Sequence, residues 1–365
     1  MRKLRVGILG ATGMVGQQYI RLLEGHPWFE VSYLAASPRS AGKPYAEAVA
    51  GRWHLSSPMP AGARGLVVSD ANDVGAAAKA SAEGRCDFVF SALDLSKAEI
   101  IALEDAYAAA GIPVVSNNSA HRWTSDVPML IPEINPDHVK AIDAQRKARG
   151  WAKGFIVVKP NCSIQSYMMP LHALVASGYK PSAMFVTTLQ AVSGAGYPGV
   201  ASLDVVDNIV QLPGEEEKSE REPLKILGGF DGSKFSDFPG LKITAHCNRV
   251  AVTDGHTACV SLGFEGKKPS IDEVKAIWAA YSGEPQKLSL PFAPERPIIV
   301  LDEADRPQPR KDRDSDKAMA VSVGRIRPCP LLDLRFTGLH HNTVRGAAGG
   351  GILNAELIMA KGYLG

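Results

Sequence analysis

Cys162 stands in the stretch KPNCSIQSYMMPLHALVASG, residues 159–178, between two apolar elements. The residues before it, Gly154 to Val158, read as a buried strand. From Ser163 onward Ile164, Met168, Leu171, Leu174 and Val175 recur at helical spacing. A thiol at such a turn can simply be a buried hydrophobe, or it can be a nucleophile whose thiolate the helix dipole favours. Lowering a thiol pKa from about 8.5 to about 6.5 raises the thiolate fraction at pH 7 from a few per cent to roughly three quarters. Pro160 and Asn161 enforce a sharp turn just before it. A nucleophilic thiol also needs a proton partner, and nine histidines compete for that part. His256, in RVAVTDGHTACV, opens a strand-like run directly after a Thr–Asp–Gly turn, and Arg249 lies seven residues earlier at the edge of the preceding apolar segment. Two strands joined by that turn would bring both to one end of a sheet. Taken singly, a lone histidine is a core residue as readily as a base, and a lone arginine a surface one.

A second chemical signal is VGILGATGMVG, in which Gly10, Gly13 and Gly16 follow an apolar strand and open a helix, with Thr12, Met14 and Val15 between them. Glycines let the backbone approach a pyrophosphate closely, and the helix N-terminus offers N–H donors and a positive dipole end. The spacing is GxxGxxG rather than GxGxxG, and a tight turn under a closely packed helix would use the same glycines. An NAD site keeps a carboxylate about 20 residues on, at the end of the second strand, for the ribose 2′-hydroxyl. Here that place reads AASPRSAGK, with Ser37, Arg39, Ser40 and Lys43 and no carboxylate. Hydroxyls beside a guanidinium suit a 2′-phosphate, so the reading is NADP over NAD; as a bare pattern the segment is also a basic surface loop.

The elements that must position these groups fall into two textures. The first 160 or so residues alternate apolar strands (LRVGILG, FEVSYLAAS, CDFVFSAL, IPVVSN) with helical segments at 13–25 and 96–110, the pattern of a parallel, doubly wound sheet. From about residue 180, AMFVTTLQAVSG, LKITAHCNRVAV, HTACVSLGF, AMAVSVGRIR and LLDLRFTG follow with few helices between them, 271–281 being one. That texture predicts a mixed α+β region with a largely antiparallel sheet. The stretch EEEKSERE by itself reads as a solvated charged segment. The tail TVRGAAGGGILNAELIMAKGYL turns helical again, weakened by Gly349–Gly351, and could return to the first domain.

Bulk properties bound the function. The 365 residues suffice for two domains, and 21% charged with 45% hydrophobic is ordinary for a globular protein. A net charge of +2 supplies no basic field for nucleic acid or membrane, so an anionic ligand must be held by a few placed arginines. No apolar run is long enough to span a bilayer. MRKLRVGILGATGMVG leads straight into the glycine motif without a signal-peptide cleavage pattern. The five cysteines (86, 162, 247, 259 and 329) are odd in number and scattered, with no CxxC pair, which points to reduced thiols in the cytoplasm and no metal site.

In order along the chain, GATGMVG, SNNSAHR, PNCS, LQAVSGAG, GEEEK and NRVAVTDGH resemble the aspartate-semialdehyde dehydrogenases, the fungal and archaeal branch more than the common bacterial one. The resemblance spans nearly the whole chain. It implies an α/β fold: a Rossmann-type NADP-binding domain over 1–158, completed by a C-terminal helix at 338–365, and an α+β catalytic and dimerisation domain over 159–337. It further implies NADPH-dependent reductive dephosphorylation of L-aspartyl-4-phosphate to L-aspartate 4-semialdehyde through a cysteine thioacyl intermediate, in lysine, threonine, methionine and isoleucine biosynthesis, by a homodimer or homotetramer. Cys162 matches the nucleophile, His256 the acid/base and Gln190 the residue orienting the acyl group. Arg249 matches the grip on the α-carboxylate and Glu215 the acceptor of the amino group, while Lys218, Arg122 and Asn161 match the phosphate-binding groups. Ser193, Gly194 and Asn342 join the glycine turn in holding the cofactor. The chemistry agrees, since a carboxylate, an ammonium and a phosphate call for an arginine, a carboxylate and further cations. The neighbouring possibilities are a malonyl-CoA reductase, an N-acetyl-glutamyl-phosphate reductase or, from another class, a catalytically silent NADP-binding sensor.

Overall fold

The computed structural model describes residues 2–365. Six strands build the first sheet: β1 (Leu4–Leu9), β2 (Phe29–Ala36), β3 (Val68–Asp70), β4 (Phe88–Ser91), β5 (Val114–Ser116) and β6 (Ile156–Val158). All pair in parallel in the order β3-β2-β1-β4-β5-β6. β4, β5 and β6 are buried along their whole length, as strands covered on both faces must be. Helices α1 (Met14–Leu22), α2 (Val74–Ala82), α3 (Lys97–Ala109) and α4 (Ala141–Arg149) supply the crossovers and cover. α3 starts where sequence chemistry demands, on a capping box in which Ser96 and Glu99 satisfy each other's backbone N–H. The strand order reverses between β1 and β4, where the carboxyl ends of a doubly wound sheet open a ligand crevice.

Helix α5 (Gln165–Ala176) leads from the first sheet into the second. Apart from the small hairpin β9 (Gly229–Phe230) and β10 (Phe235–Ser236), the remaining strands are β7 (Lys180–Gln190), β8 (Val210–Gln211), β11 (Lys242–Arg249), β12 (His256–Glu265), β13 (Ile298–Val300), β14 (Val321–Pro328) and β15 (Leu334–His340). Their order is β13-β14-β15-β12-β7-β11-β8. The sheet is mixed and mainly antiparallel, with β7–β11 and β13–β14 parallel. This corrects the hairpin expected from Arg249 and His256: β11 and β12 do not pair, because β7 lies between them. Arg249 sits opposite Gln190, and Leu189 opposite Thr257, so all three functional ends still meet at one sheet edge.

Two helices differ from expectation. The charged segment is a helix, α6 (Pro213–Leu227), whose Ser219, Glu222, Lys225 and Ile226 are buried. Polar residues can face inward there because each finds a partner, as described below. α7 (Ile271–Ala279) matches the helix read at 271–281. The closing helix α8 starts only at Gly349 and ends at Ala360, while residues 338–340 belong to β15 and a π-turn spans Val344–Ala348. Its Ile352, Leu353, Leu357 and Ile358 enter the core beneath β1, β2 and β4 with Val6, Ile8 and Phe90. Gly351 is required by a close approach, since a Cβ there would collide with the Tyr19 ring of α1.

Candidate active site

The turn after β1 forms the expected cradle. Gly10 holds φ +79°, and a Cβ on it would drive into the Ala92 carbonyl after β4. A Cβ on Gly16 would strike the Gly10 carbonyl, so this glycine lets α1 pack directly on the turn. At Gly13 a Cβ would meet only the Gly10 oxygen at 3.4 Å, leaving that side open. Gly10 and Ala11 both donate to the Ala35 carbonyl at the end of β2, at 2.9 and 3.0 Å. The segment beyond β2 therefore emerges beside the glycine turn. There Ser37 and Arg39 are exposed while Ser40 is buried, its N–H donating to the Ser37 carbonyl. No carboxylate stands among them, so the donor set fits a phosphate-bearing ribose.

A cavity of about 270 Å³ is lined by Cys162, Gln190, Arg249, Glu215, Lys218, Arg122 and Asn161, and by Met14, Val15, Ser193, Gly194 and Asn342. Twelve residues from distant parts of the sequence thus share one space. Gly10, Thr12, Gly13, Gly16, Ser37, Arg39 and Ser40 lie outside it, along the carboxyl edge of the first sheet.

Cys162 lies in the turn before α5, three residues ahead of its first helical residue rather than inside the first turn. Its Sγ is 3.4 Å from His256 Nε2, and His256 is fully buried at the start of β12. The thiol is not depressed as its position suggested. Burial pushes it up, Glu215 adds to that, and the Lys159, Arg122 and Arg249 cations only partly compensate. Burial also holds His256 well below the usual imidazole range, reinforced by Arg249, His341 and Lys159. The resting pair is consequently thiol and neutral imidazole.

The anion and cation groups are prearranged. Arg249 NH1 donates to the Ala191 carbonyl at 2.8 Å, while its buried Nε has no partner. Glu215 accepts from Lys218 Nζ at 2.5 Å and from Asn161 Nδ2 at 2.7 Å. Burial works against its charge, but Lys218 and Asn161 prevail and keep the carboxyl below its ordinary range. Arg122 donates from Nε to the Lys159 carbonyl and pairs through NH1 with Glu222 at 2.9 Å. Asn161 is heavily engaged, since its Oδ1 also accepts from the Ser163 N–H and hydroxyl. The Ser163 N–H is thus unavailable to an oxyanion, contrary to what a simple helix start after Cys162 suggests. Ser193 Oγ accepts from Asn342 Nδ2 at 2.8 Å, and Asn342 Oδ1 accepts from the Gly255 N–H, which pins the start of β12.

Several residues escaped sequence reasoning. Glu222 accepts the Asn161 N–H at 2.6 Å as well as pairing with Arg122, holding the turn before Cys162 from below. It falls at i+3 and i+7 from Ser219 and Glu215, a spacing that marks one helix face once 213–227 is known to be helical. Lys159 is buried beside the cysteine, lowered to about 7 by burial and Arg122. Arg345 and Glu133 form a buried two-pronged pair at 2.5 and 2.8 Å, with Arg345 also donating to Gln165. Asn117, from SNNSAHR, lines the cavity with an unpartnered Oδ1. Nothing local in the sequence marks Lys159, Glu133 or Arg345.

Comparison with known proteins coincides with this geometry. Residues 5–142 match the family model described as semialdehyde dehydrogenase, NAD binding domain, and residues 171–345 the one described as semialdehyde dehydrogenase, dimerisation domain. Aspartate-semialdehyde dehydrogenase of Aspergillus fumigatus is 46% identical, with 99% of each chain covered. The chain belongs to the aspartate-semialdehyde dehydrogenase family. Within that family the archaeal enzyme of Archaeoglobus fulgidus is also 46% identical over 98% of both chains. The crystal structure of aspartate semialdehyde dehydrogenase with NADP from Candida albicans superposes with a TM-score of 0.89 at 41% identity over all of both chains. Aspartate semialdehyde dehydrogenase II of Vibrio cholerae, at 21% identity and a TM-score of 0.74, shares the fold. As in the resemblance read from the motifs, the fungal and archaeal members of the family are near relatives.

Proposed function

We propose that this chain converts L-aspartyl-4-phosphate to L-aspartate 4-semialdehyde and phosphate with NADPH, using Cys162 as the nucleophile. The observation that carries the residue assignment is the 3.4 Å contact between Cys162 Sγ, on the cavity wall, and the Nε2 of His256 buried behind it, with Arg249 lining the same cavity. A silent NADP-binding sensor has no use for that contact.

Arg249 holds the substrate α-carboxylate, its NH1 steadied by the Ala191 carbonyl. Glu215 receives the ammonium. The substrate ammonium competes with Lys218 for Glu215, and the displaced Lys218 turns to the phosphate alongside Arg122. Asn161, already bonded to Glu215 and Ser163, contributes by keeping this group in place. The Cys162 sulfur attacks the acyl carbon, the C–O bond to phosphate breaks, and phosphate leaves with the electron pair. The Gln190 side chain, beside Thr188 on the cavity wall, orients the resulting thioester. His256, against the sulfur, serves proton chemistry at that atom.

The Gly10–Gly16 turn with α1 would hold the cofactor pyrophosphate, and Ser37, Arg39 and Ser40 its 2′-phosphate. Ser193, Gly194 and Asn342, which line the cavity, would hold the part of the cofactor nearest Cys162. The hydride that reduces the thioester would come from NADPH bound there. Among the described residues no helix is long and apolar enough to cross a membrane. Five free thiols suit a cytoplasmic setting, and the match to a dimerisation domain supports a homodimer or homotetramer.

The test runs the reaction backwards. NADPH formation from aspartate semialdehyde should require phosphate and NADP, and malonyl-CoA should not be reduced. A quenched reaction should carry an acyl adduct on the Cys162 peptide. An adduct on Cys86, Cys247, Cys259 or Cys329, or full activity in Cys162→Ser, would refute the assignment.

A further inference from the structure

Lys159 follows directly on β6 and is buried, yet it lines the same cavity as Cys162. Its backbone is fixed on both sides: the N–H donates to the Ser116 carbonyl at 2.9 Å, and the carbonyl accepts from Arg122 Nε at 3.1 Å. The side-chain stem runs against the start of α8, where a Cβ on Gly350 would come within 3.3 Å of Lys159 Cδ. Nζ donates to the Pro160 carbonyl at 2.5 Å, just ahead of the Cys162 turn. Among the described residues Lys159 forms no ion pair. The carboxylates of this region are already engaged, Glu222 by Arg122 and the Asn161 N–H, Glu215 by Lys218 and Asn161, and Glu133 by Arg345. A cation taken out of water without an anion is an unfavourable arrangement for folding. The position is accounted for by an anion that forms beside it during the reaction.

We infer that Lys159 is a positioning residue whose ammonium is the counter-charge of the Cys162 sulfur, favouring the thiolate that attacks the acyl carbon and the thiolate that is released with the aldehyde. The inference rests on Cys162 as the nucleophile, and it deepens that reading by naming what holds the charge on its sulfur. His256 keeps the proton chemistry at that atom, and Lys159 supplies charge alone.

The ionisable surroundings agree. Around the ammonium stand Arg122, Cys162, Glu222 from α6 and Arg345 from the π-turn, with His256 from β12 and His340 from β15. Burial and Arg122 hold Lys159 down to about 7, and Cys162 is the neighbour that does most to raise it. Around the sulfur stand Glu215, Lys159, Arg122, Arg249 and His256, and of the three cations Lys159 acts on it most strongly. The other two have further partners, Arg122 in Glu222 and Arg249 in the Ala191 carbonyl.

The test is Lys159→Met in the full-length enzyme, which keeps an apolar stem and removes the charge. Alkylation by iodoacetamide from about pH 6 to pH 10, read at the Cys162 peptide by mass, reports the ionisation of the thiol. An opposite charge within about 4–6 Å moves an ionisation by about one to three units, so the midpoint should rise by at least about one unit and the rate at pH 7 should fall at least about tenfold. The pH profile of kcat/KM for the semialdehyde should move upward with it, while NADPH affinity stays level and the urea midpoint does not fall, because a buried unpaired charge has been removed. A second measurement needs no change at Lys159. Coupling between two sites is reciprocal, so lysine ε-carbon spectra should show Lys159 staying protonated to higher pH in the wild type than in Cys162→Ser. An unmoved thiol midpoint, lost stability as the sole effect, a raised KM for phosphate with the thiol unchanged, or identical lysine titrations would overturn the counter-charge and leave Cys162 as nucleophile intact. Preferential labelling of another cysteine during turnover would instead undo the reading beneath it.

Discussion

Gly194 offers a sharp test of how the carboxylate grip is built. A Cβ there would lie 2.7 Å from Arg249 NH1, 2.9 Å from His256 Cε1 and 3.0 Å from His256 Nε2, where ordinary contact begins at 3.4 Å. Gly194→Ala therefore demands about 0.7 Å more room from the guanidinium and about 0.5 Å from the ring, the differences between those distances. The two neighbours are not equally free. His256 is fully buried and bonded at Nδ1, whereas the Arg249 tip ends a flexible side chain held there by one carbonyl. The guanidinium should yield, losing much of a charge-assisted contact to the substrate carboxylate worth roughly 1.5–3 kcal/mol, or about 10–150-fold in affinity. Steady-state kinetics with aspartate semialdehyde, phosphate and NADP should show KM for the semialdehyde rising by that order. The fall in kcat should stay within about tenfold, because the sulfur and its histidine move less. The residue is exposed on the cavity wall, so the melting temperature should barely change. A variant with both kcat and KM within twofold of wild type would show that Gly194 does not wedge Arg249. A collapse in kcat at unchanged KM would mean that the ring, not the guanidinium, gives way.

Arg249→Lys keeps a charge but loses the fork, so KM for the semialdehyde should rise more than kcat falls, and an unchanged KM would move the grip to another residue. Arg39→Ala should weaken NADPH binding by about 10–150-fold while leaving NADH nearly untouched, as read by fluorescence titration; equal losses would make Arg39 merely structural. His340 is buried with both ring nitrogens unpartnered and is held well below the usual imidazole range by burial, His256, Arg345 and Lys159. The unfolded chain therefore takes up this proton first as pH falls below about 6.5, so the contribution is complete above that pH and is lost at up to about 1.4 kcal/mol per pH unit below it. His340→Asn should flatten the pH dependence of urea unfolding by that amount between about pH 6 and 5, and parallel slopes for the two proteins would contradict the neutral assignment.

Some of this molecule is written locally. Apolar runs such as Phe88–Ser91 and Val114–Ser116 separated by helical stretches determine a parallel sheet, because strands buried on both faces must be apolar throughout. The glycines at 10 and 16 declare a turn under a helix because no other residue fits there. The identities of Cys162, His256, Gln190 and Arg249 were legible as motif members, though not their arrangement. A hairpin between β11 and β12 is the economical guess from a short turn. Only tertiary pairing decides that β7 threads between them and sets Gln190 beside Arg249. The segment 213–227 reads as solvated because its charges are visible and their partners are not. Arg122 and the Asn161 amide, 100 and 61 residues away from Glu222, are what allow that face to be buried. The protonation of the thiol followed the same rule. A helix dipole can be inferred from neighbours in sequence, but desolvation depends on everything packed around the group, and at Cys162 burial and Glu215 outweigh the local terms. Propensity and periodicity act over a few residues and so belong to the sequence. Burial, charge pairing and hydrogen direction depend on contacts between distant segments, and those only the folded chain decides.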